Sequence, residues 1–239
     1  MALSEPEISE SAIQFARKNK KIIAKRLTPK DIFIPEKDPV SVFMAGSPGA
    51  GKTEASKSLI QKYSNGSGYR ILRIDPDELR SEFEYYDGSN SYLFQGGISI
   101  LVEKIHDLAI SQKQSFILDG TLSHFEKAVK NIERSINRGR FVQILYVYQD
   151  PKQAWFFVKE REKVEGRNIK MEDFIHQYFK ARDVVNNIKE HFGSDIHIDL
   201  IHKNVDGTNK VYQDNINKID NHVEEKYNRA SLEKSLLLV

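Results

Sequence analysis

The sequence predicts an α/β fold of three layers, with a mainly parallel five-stranded sheet in the middle, an N-terminal helix and a C-terminal hairpin and helix. Three observations lead there. From residue 40 onward, short apolar runs alternate with longer amphipathic stretches. The apolar runs mostly lack polar alternation, as strands covered on both faces do. A glycine-rich turn separates the first run from a helical pattern, the arrangement of a strand–turn–helix unit.

Taken in order, Ile8, Ala12, Phe15, Ile22 and Ile23 recur near helical spacing, so the first 27 residues read as a helix that Pro29 limits. Arg17, Lys18, Lys20, Lys21, Lys25 and Arg26 make its C-terminal end basic, which suits the helix dipole as a solvated face. Strands are expected at Val40–Ala45, Tyr69–Ile74, Ser115–Leu118, Phe141–Tyr148 and Ile196–Ile201. Helices are expected near Gly51–Tyr63, Pro76–Phe83, Gly97–Gln112, Ser123–Asn137, Pro151–Val164 and Met171–His191. Asp206-Gly207 predicts a turn into a short partner strand near Lys210–Tyr212, followed by a polar helix. One domain accommodates all of this: a helical extension over 1–39, a core over 40–213 and a terminal helix over 214–239.

Composition narrows the function. The chain has 239 residues, 36 of them Lys or Arg and 34 Asp or Glu, giving a net charge of +2. That balance argues against a protein coated in positive field, so nucleic acid is not the expected partner. Cysteine is absent, which removes disulfides, cysteine zinc sites and thiol nucleophiles. No run approaches the roughly 18–20 apolar residues that cross a bilayer, and the acidic opening MALSEPEISES lacks a signal-peptide centre, so a cytoplasmic protein without a membrane partner is expected. The seven histidines are scattered without metal-ligand spacing. Tyr85, Tyr86, Tyr92 and Phe94 crowd a Gly/Ser-rich stretch, either to stack on a base or sugar or to fill space under a loop.

The strongest signal is Gly46-Ser47-Pro48-Gly49-Ala50-Gly51-Lys52-Thr53, a complete G-x-x-x-x-G-K-[ST] between a strand and a helix. Glycines let the backbone close around phosphate oxygens, and the N–H groups of the new helix face the anion. Lys52 is placed for the β- and γ-phosphates of ATP and the Thr53 hydroxyl for Mg2+. A GTPase would need a base-reading N-K-x-D after a buried strand. Asn217-Lys218-Ile219-Asp220 has the letters but follows the polar Tyr212–Ile216. Ser115-Phe116-Ile117-Leu118-Asp119 has the form of an ATPase Walker B strand, yet a compact phosphotransferase fits the short chain better. In Asp75-Pro76-Asp77-Glu78, Asp75 and Glu78 fit a helix cap, whereas Asp77 lies just past the strand beside the phosphate loop, where a kinase keeps the acid that accepts a hydroxyl proton. Helical spacing sets Arg161 on the same face as Ala154, Phe157 and Val158, as a core ion pair or a phosphate ligand. Arg167, in Glu165-Gly166-Arg167-Asn168, lies in a break between helices, the position of a lid or of a solvated charge.

Together G-S-P-G-A-G-K-T, I-D-P-D-E-L-R, I-L-D-G-T, the arginines of K-E-R-E and E-G-R-N, and F-G-S-D-I-H-I-D-L-I-H-K-N resemble the zeta toxin family of bacterial kinases over residues 40 to 213. The resemblance implies a P-loop kinase-like fold and ATP-dependent phosphorylation of UDP-N-acetylglucosamine, or a related UDP-sugar, on its 3′-hydroxyl. It implies Lys52 as the phosphate-loop lysine, Asp77 as base, Arg161 and Arg167 as phosphate clamps, and Glu103, Asp119 and Thr121 as the sugar-nucleotide pocket. An antitoxin partner, or self-inhibition by the N-terminal helix in its stead, is implied too. The family has glutamate where Asp119 stands, and an arginine-bearing segment where Ser123 stands; both departures bear on the acceptor. The rival expectations are a P-loop kinase acting on a polynucleotide end or another small molecule, and a non-catalytic nucleotide-binding regulator.

Overall fold

The computed structural model describes residues 3–166, 168–206 and 208–238. Helix α1 spans Glu5–Leu27, strand β1 Val40–Ala45, α2 Lys52–Ser67, β2 Leu72–Ile74 and α3 Gln95–Ser111. Strand β3 covers Phe116–Leu118, α4 Phe125–Ile136, β4 Phe141–Tyr148, α5 Pro151–Glu165 and α6 Met171–Phe192. The chain ends with β5 at His197–Lys203, β6 at Asn209–Gln213 and α7 at Arg229–Leu236. One sheet has the order β2-β3-β1-β4-β5-β6, parallel throughout except for the β5–β6 pair.

The sheet therefore has six strands rather than five. The expected hairpin partner does not stop at a loose two-stranded ribbon: Tyr212 pairs with Ile201 and extends the central sheet by one antiparallel edge. Such a strand needs only one covered face, which is why its exposed residues gave a weak sequence signal. The segment expected as a helix over Pro76–Phe83 is a short 3-10 turn, Glu78–Glu82. Asp75 does make the bond expected of a cap, its Oδ1 accepting the Asp77 N–H at 2.8 Å while Arg73 holds its other oxygen, but only the 3-10 turn follows it. In the 214–239 segment α-helix is confined to α7, since Asn215 N–H bonds to the Asp199 carboxylate (3.0 Å) and Ile216 N–H to the Ile198 carbonyl (2.7 Å), tying the chain to β5 first.

Alternate residues of β1 enter two cores. Phe43 and Ala45 join the larger one, built with α1, α3, α4, α5 and α6, while Val42 and Met44 pack with Leu145, Val147 and Ala55 on the α2 side. Strands covered on both faces must be apolar on both, which produced the continuous runs. Helix α1 is part of the larger core: it buries Ala12, Ala16, Ile23 and Ala24. It lies close on α3, where a Cβ at Gly97 would come within 2.9 Å of the Ala12 carbonyl oxygen. Its basic residues Arg17, Lys18, Lys21, Lys25 and Arg26 are exposed. Among the described residues no helix is long and apolar enough to cross a membrane.

Because β3 and β4 flank β1 on opposite sides, the strand order reverses at β1, and the crevice beyond its C-terminal end is where ligands gather in open α/β sheets. The Gly46–Thr53 loop leaves β1 at that point.

Candidate phosphate-loop active site

The loop is shaped by its glycines. Gly46, Gly49 and Gly51 have φ of +132°, +72° and +86°, a region costly for other residues. Space forbids side chains as well. A Cβ on Gly46 would overlap the Val147 carbonyl oxygen of β4, and one on Gly49 the Ala154 carbonyl oxygen of α5. Pro48 crosses the loop's turn, and Ser47 and Ala50 are buried within it. The Lys52 amine folds back over the loop, donating to the Gly46 carbonyl (3.0 Å) and the Ser47 carbonyl (2.6 Å). Those carbonyls hold the amine over the concavity that an anion would enter. Thr53 stands in the first turn of α2, partly exposed. Thr121 meets the same loop through its backbone, its carbonyl accepting the Gly46 N–H at 3.4 Å.

The candidate acid follows β2, which is not the strand beside the phosphate loop as expected, because β3 stands between β2 and β1. Asp77 is partly exposed at the crevice; its Oδ1 is 3.3 Å from the Arg80 guanidinium and its Oδ2 4.0 Å from the Arg161 guanidinium. The structure thus brings together Asp77 and Arg161, which are 84 positions apart in the chain. Arg161 is half-exposed at the rim, so it is neither a core ion pair nor fully solvated. Arg167 lies outside the described residues.

Asp119, by contrast, is committed. It is 7 % exposed, and its Oδ2 accepts from Ser56 Oγ (2.9 Å), Arg73 Nε (3.0 Å) and Arg73 Nη2 (2.7 Å). Arg73 also pairs with Asp75 and Glu78. Burial pushes the Asp75 carboxyl up to about 6, against the opposing pull of Arg73. The result is a chain of contacts from the phosphate-loop helix, through Ser56, Asp119, Arg73 and Asp75, to the backbone of Asp77. Glu103 sits on the exposed face of α3, and no hydrogen bond or ion pair joins it to these groups among the described residues.

Sequence reasoning gave no role to Ser56, Arg73 or Arg80. Arg73 carried a visible signal, a lone cation inside the apolar Ile71–Ile74 run. Arg80 carried none that separates it from a surface charge, yet it is 4 % exposed, and its Nε and Nη1 have no hydrogen-bond partner among the described residues. Of the crowded aromatics, Phe94 and Tyr86 fill space, Phe94 packing against Phe83 and Tyr86 at centroid distances of 5.4 and 5.7 Å, whereas Tyr85 and Tyr92 are exposed, the Tyr92 hydroxyl donating to Glu5 of α1.

No curated protein sequence matches the chain. Solved structures with the same fold include one from the PezAT chromosomal toxin–antitoxin system of the human pathogen Streptococcus pneumoniae, with a TM-score of 0.68 at 15 % identity over 94 % of this chain and 93 % of that one. The AvrRxo1-ORF1:-ORF2 complex with ATP gives a TM-score of 0.58 at 16 % identity, covering 96 % of this chain and 71 % of that one. A chain of the Pnkp1/Rnl/Hen1 RNA repair complex gives 0.52 at 14 % identity, covering 64 % and 47 %. At these identities the likeness is one of fold. The family model for zeta toxin matches residues 9–217, taking in most of α1 and every strand of the sheet, and the chain belongs to the zeta toxin family.

Proposed function

We propose that the protein is an ATP-dependent kinase that phosphorylates the 3′-hydroxyl of UDP-N-acetylglucosamine or a related UDP-sugar, and that it is the toxin of a toxin–antitoxin pair. The observation that carries this reading is the Asp77–Arg161 pair, at 4.0 Å, on the same sheet edge as the phosphate loop. A carboxylate for the acceptor and a guanidinium for the moving phosphoryl group are the two charges such a transfer needs side by side.

In this reading the loop N–H groups and the positive end of α2 bind the triphosphate, and Lys52 exchanges its loop carbonyls for phosphate oxygens. Asp77 takes the proton of the sugar hydroxyl as its oxygen bonds to the γ-phosphorus and the bond to the β,γ-bridging oxygen breaks, releasing ADP. Arg161, together with Arg167, balances the charge on the transferring group. Glu103, Asp119 and Thr121 are assigned to the sugar nucleotide, Asp119 acting through the network that Arg73 holds.

The residues suit Mg2+. Among the described residues no cluster of three His, Asp or Glu forms a cage. Mg2+ does not need one, since it binds through one or two protein groups plus phosphates and keeps several waters. The Thr53 hydroxyl would be that group here, and the ion would supply charge neutralisation for the phosphates.

Support for a protein partner comes from the structural neighbour, which belongs to a toxin–antitoxin system. Because α1 is built into the core, a separate antitoxin suits this fold better than α1 as a detachable inhibitor. ATP and a panel of UDP-sugars, nucleosides and RNA ends, incubated with wild type and Asp77→Asn, test the proposal by mass spectrometry. We expect a phosphorylated UDP-sugar from wild type, at least about 100-fold less from the variant, and growth arrest on expression only with wild type. Equal product from both proteins removes Asp77 as the base, and product only on RNA ends or nucleosides replaces the acceptor.

A further inference from the structure

Lys203 is the last residue of β5, at the sheet edge where β1 delivers the phosphate loop. It is 7 % exposed. Its Cε and Nζ lie 3.2 and 3.8 Å from the point where a Cβ of Gly51 would stand, and Glu54 Oε2 lies 3.6 Å from the same point. The amine is thus held against the first turn of α2, beside the loop that Lys52 covers from its other end.

Three further features set Lys203 apart from an ordinary strand lysine. Its ammonium forms no hydrogen bond or ion pair among the described residues, and Glu54 is the one carboxylate acting on it at longer range. Burial lowers its pKa from the ordinary lysine value, with Glu54 opposing. The residue is buried along its stem while the amine itself is not enclosed, the arrangement of a cation that can meet an incoming anion without first leaving a partner. The register of the β5–β6 pair shifts between His202 and Lys203, an irregularity of the kind that re-aims a side chain beside a site. The end of β5 is also anchored: Gln149, beyond β4, donates to the Asn204 carbonyl at 2.7 Å.

We propose that Lys203 is a second phosphate-binding lysine, contacting the α- and β-phosphates of a nucleoside di- or triphosphate seated on the Gly46–Thr53 loop. The position follows from its neighbours. Lys52 serves the β- and γ-phosphates, whereas Gly51 and Glu54 flank the helix end of the loop, where the α- and β-phosphates lie. Gly51 is bare on that side, so nothing stands between the amine and the loop backbone. This inference rests on the nucleotide reading of the loop and adds to it a residue from the far side of the sheet.

Calorimetric titration of ADP, ATP, adenosine and UDP-N-acetylglucosamine, with Mg2+, into wild type, Lys203→Met and Lys203→Arg tests it. Lys203→Met keeps the apolar stem and removes the charge; Lys203→Gln takes its place if the Met variant does not fold. The expected result is ADP and ATP binding weakened about tenfold or more in Lys203→Met, in the range of one charge-assisted contact. Lys203→Arg should stay within about threefold of wild type on the same scale. Adenosine binding should be unchanged, and the ligand-free Met variant should melt close to wild type, since the apolar stem at the end of β5 is kept and no ion pair is lost among the described residues. ADP binding to Lys203→Met within about twofold of wild type overturns the proposal. So does an equal loss for adenosine, which would move the contact to base or ribose, or a loss confined to UDP-N-acetylglucosamine, which would move it to the acceptor's diphosphate. Wild type that binds neither ADP nor ATP removes the nucleotide reading itself.

Discussion

Replacing Arg73 by methionine removes the cation that three carboxylates share while keeping a similar unbranched volume. Its side chain is 10 % exposed, and those of Asp75 and Asp119 are 11 % and 5 % exposed. Asp119 would lose two N–H donors, at 3.0 and 2.7 Å, and keep only the Ser56 hydroxyl. Glu78 is mostly solvated and contributes little to the loss. Stranding a buried carboxylate costs about 3–5 kcal/mol, a large share of the roughly 5–15 kcal/mol that stabilises a domain. The loss depends on pH. Asp75 in the folded protein titrates near 6, above its ordinary value of 3.8, so its contribution to stability is complete below 3.8 and is lost as pH rises through about 6. Arg73 holds that value down, so its removal raises it further and widens the window upward. Urea unfolding at pH 5 and pH 8 should therefore show Arg73→Met destabilised at both, by about 3–5 kcal/mol at pH 8 and measurably less at pH 5, where Asp75 is neutral. A loss below about 1 kcal/mol at pH 8, or an equal loss at both values, would falsify the network as the coupling between the phosphate-loop helix and the Asp77 loop.

Two other outcomes follow from the same geometry. Gly49→Ala meets both a φ of +72° and the Ala154 carbonyl, so the loop must leave α5; ADP affinity should fall at least about tenfold, and an unchanged value in a fluorescence titration would contradict the close approach. His106 is buried between Phe43 and Phe116, its Nδ1 accepting from Arg134 at 2.9 Å, and burial followed by Arg134 and Arg140 pulls its pKa down to about 3. Its neutral ring adds stability that is complete above 6.5 and lost as pH falls toward 3, so its 15N shifts should stay constant from pH 8 to 4.5; a midpoint near 6.5 would refute the burial argument.

The phosphate loop, the alternation of strands and helices and the outline of the core were determined by the sequence itself. The reason is that these depend on local chemistry: glycines where φ is positive, continuous apolar runs for strands covered on both faces, apolar residues at period 3.6 for helices, and a lysine and threonine at a set distance along one turn. The family resemblance was legible for the same reason, since its motifs are short and ordered along the chain. Tertiary structure decided which charges meet. Nothing local pairs Asp77 with Arg161, ties Asp119 to Arg73 and Ser56, or leaves Glu103 on an outer face; those distances are set by strand order and by how α2, α3 and α5 lean on the sheet. Lys203 shows the difference most sharply. In the sequence it closes the apolar run of the F-G-S-D-I-H-I-D-L-I-H-K-N motif, where its letter alone does not separate it from a strand-end charge facing water. Only the placement of β5 beyond β4, with the shift in register at its end, turns that amine toward Gly51, because a side chain's electrostatic meaning lies in the groups that folding brings within a few ångströms of it.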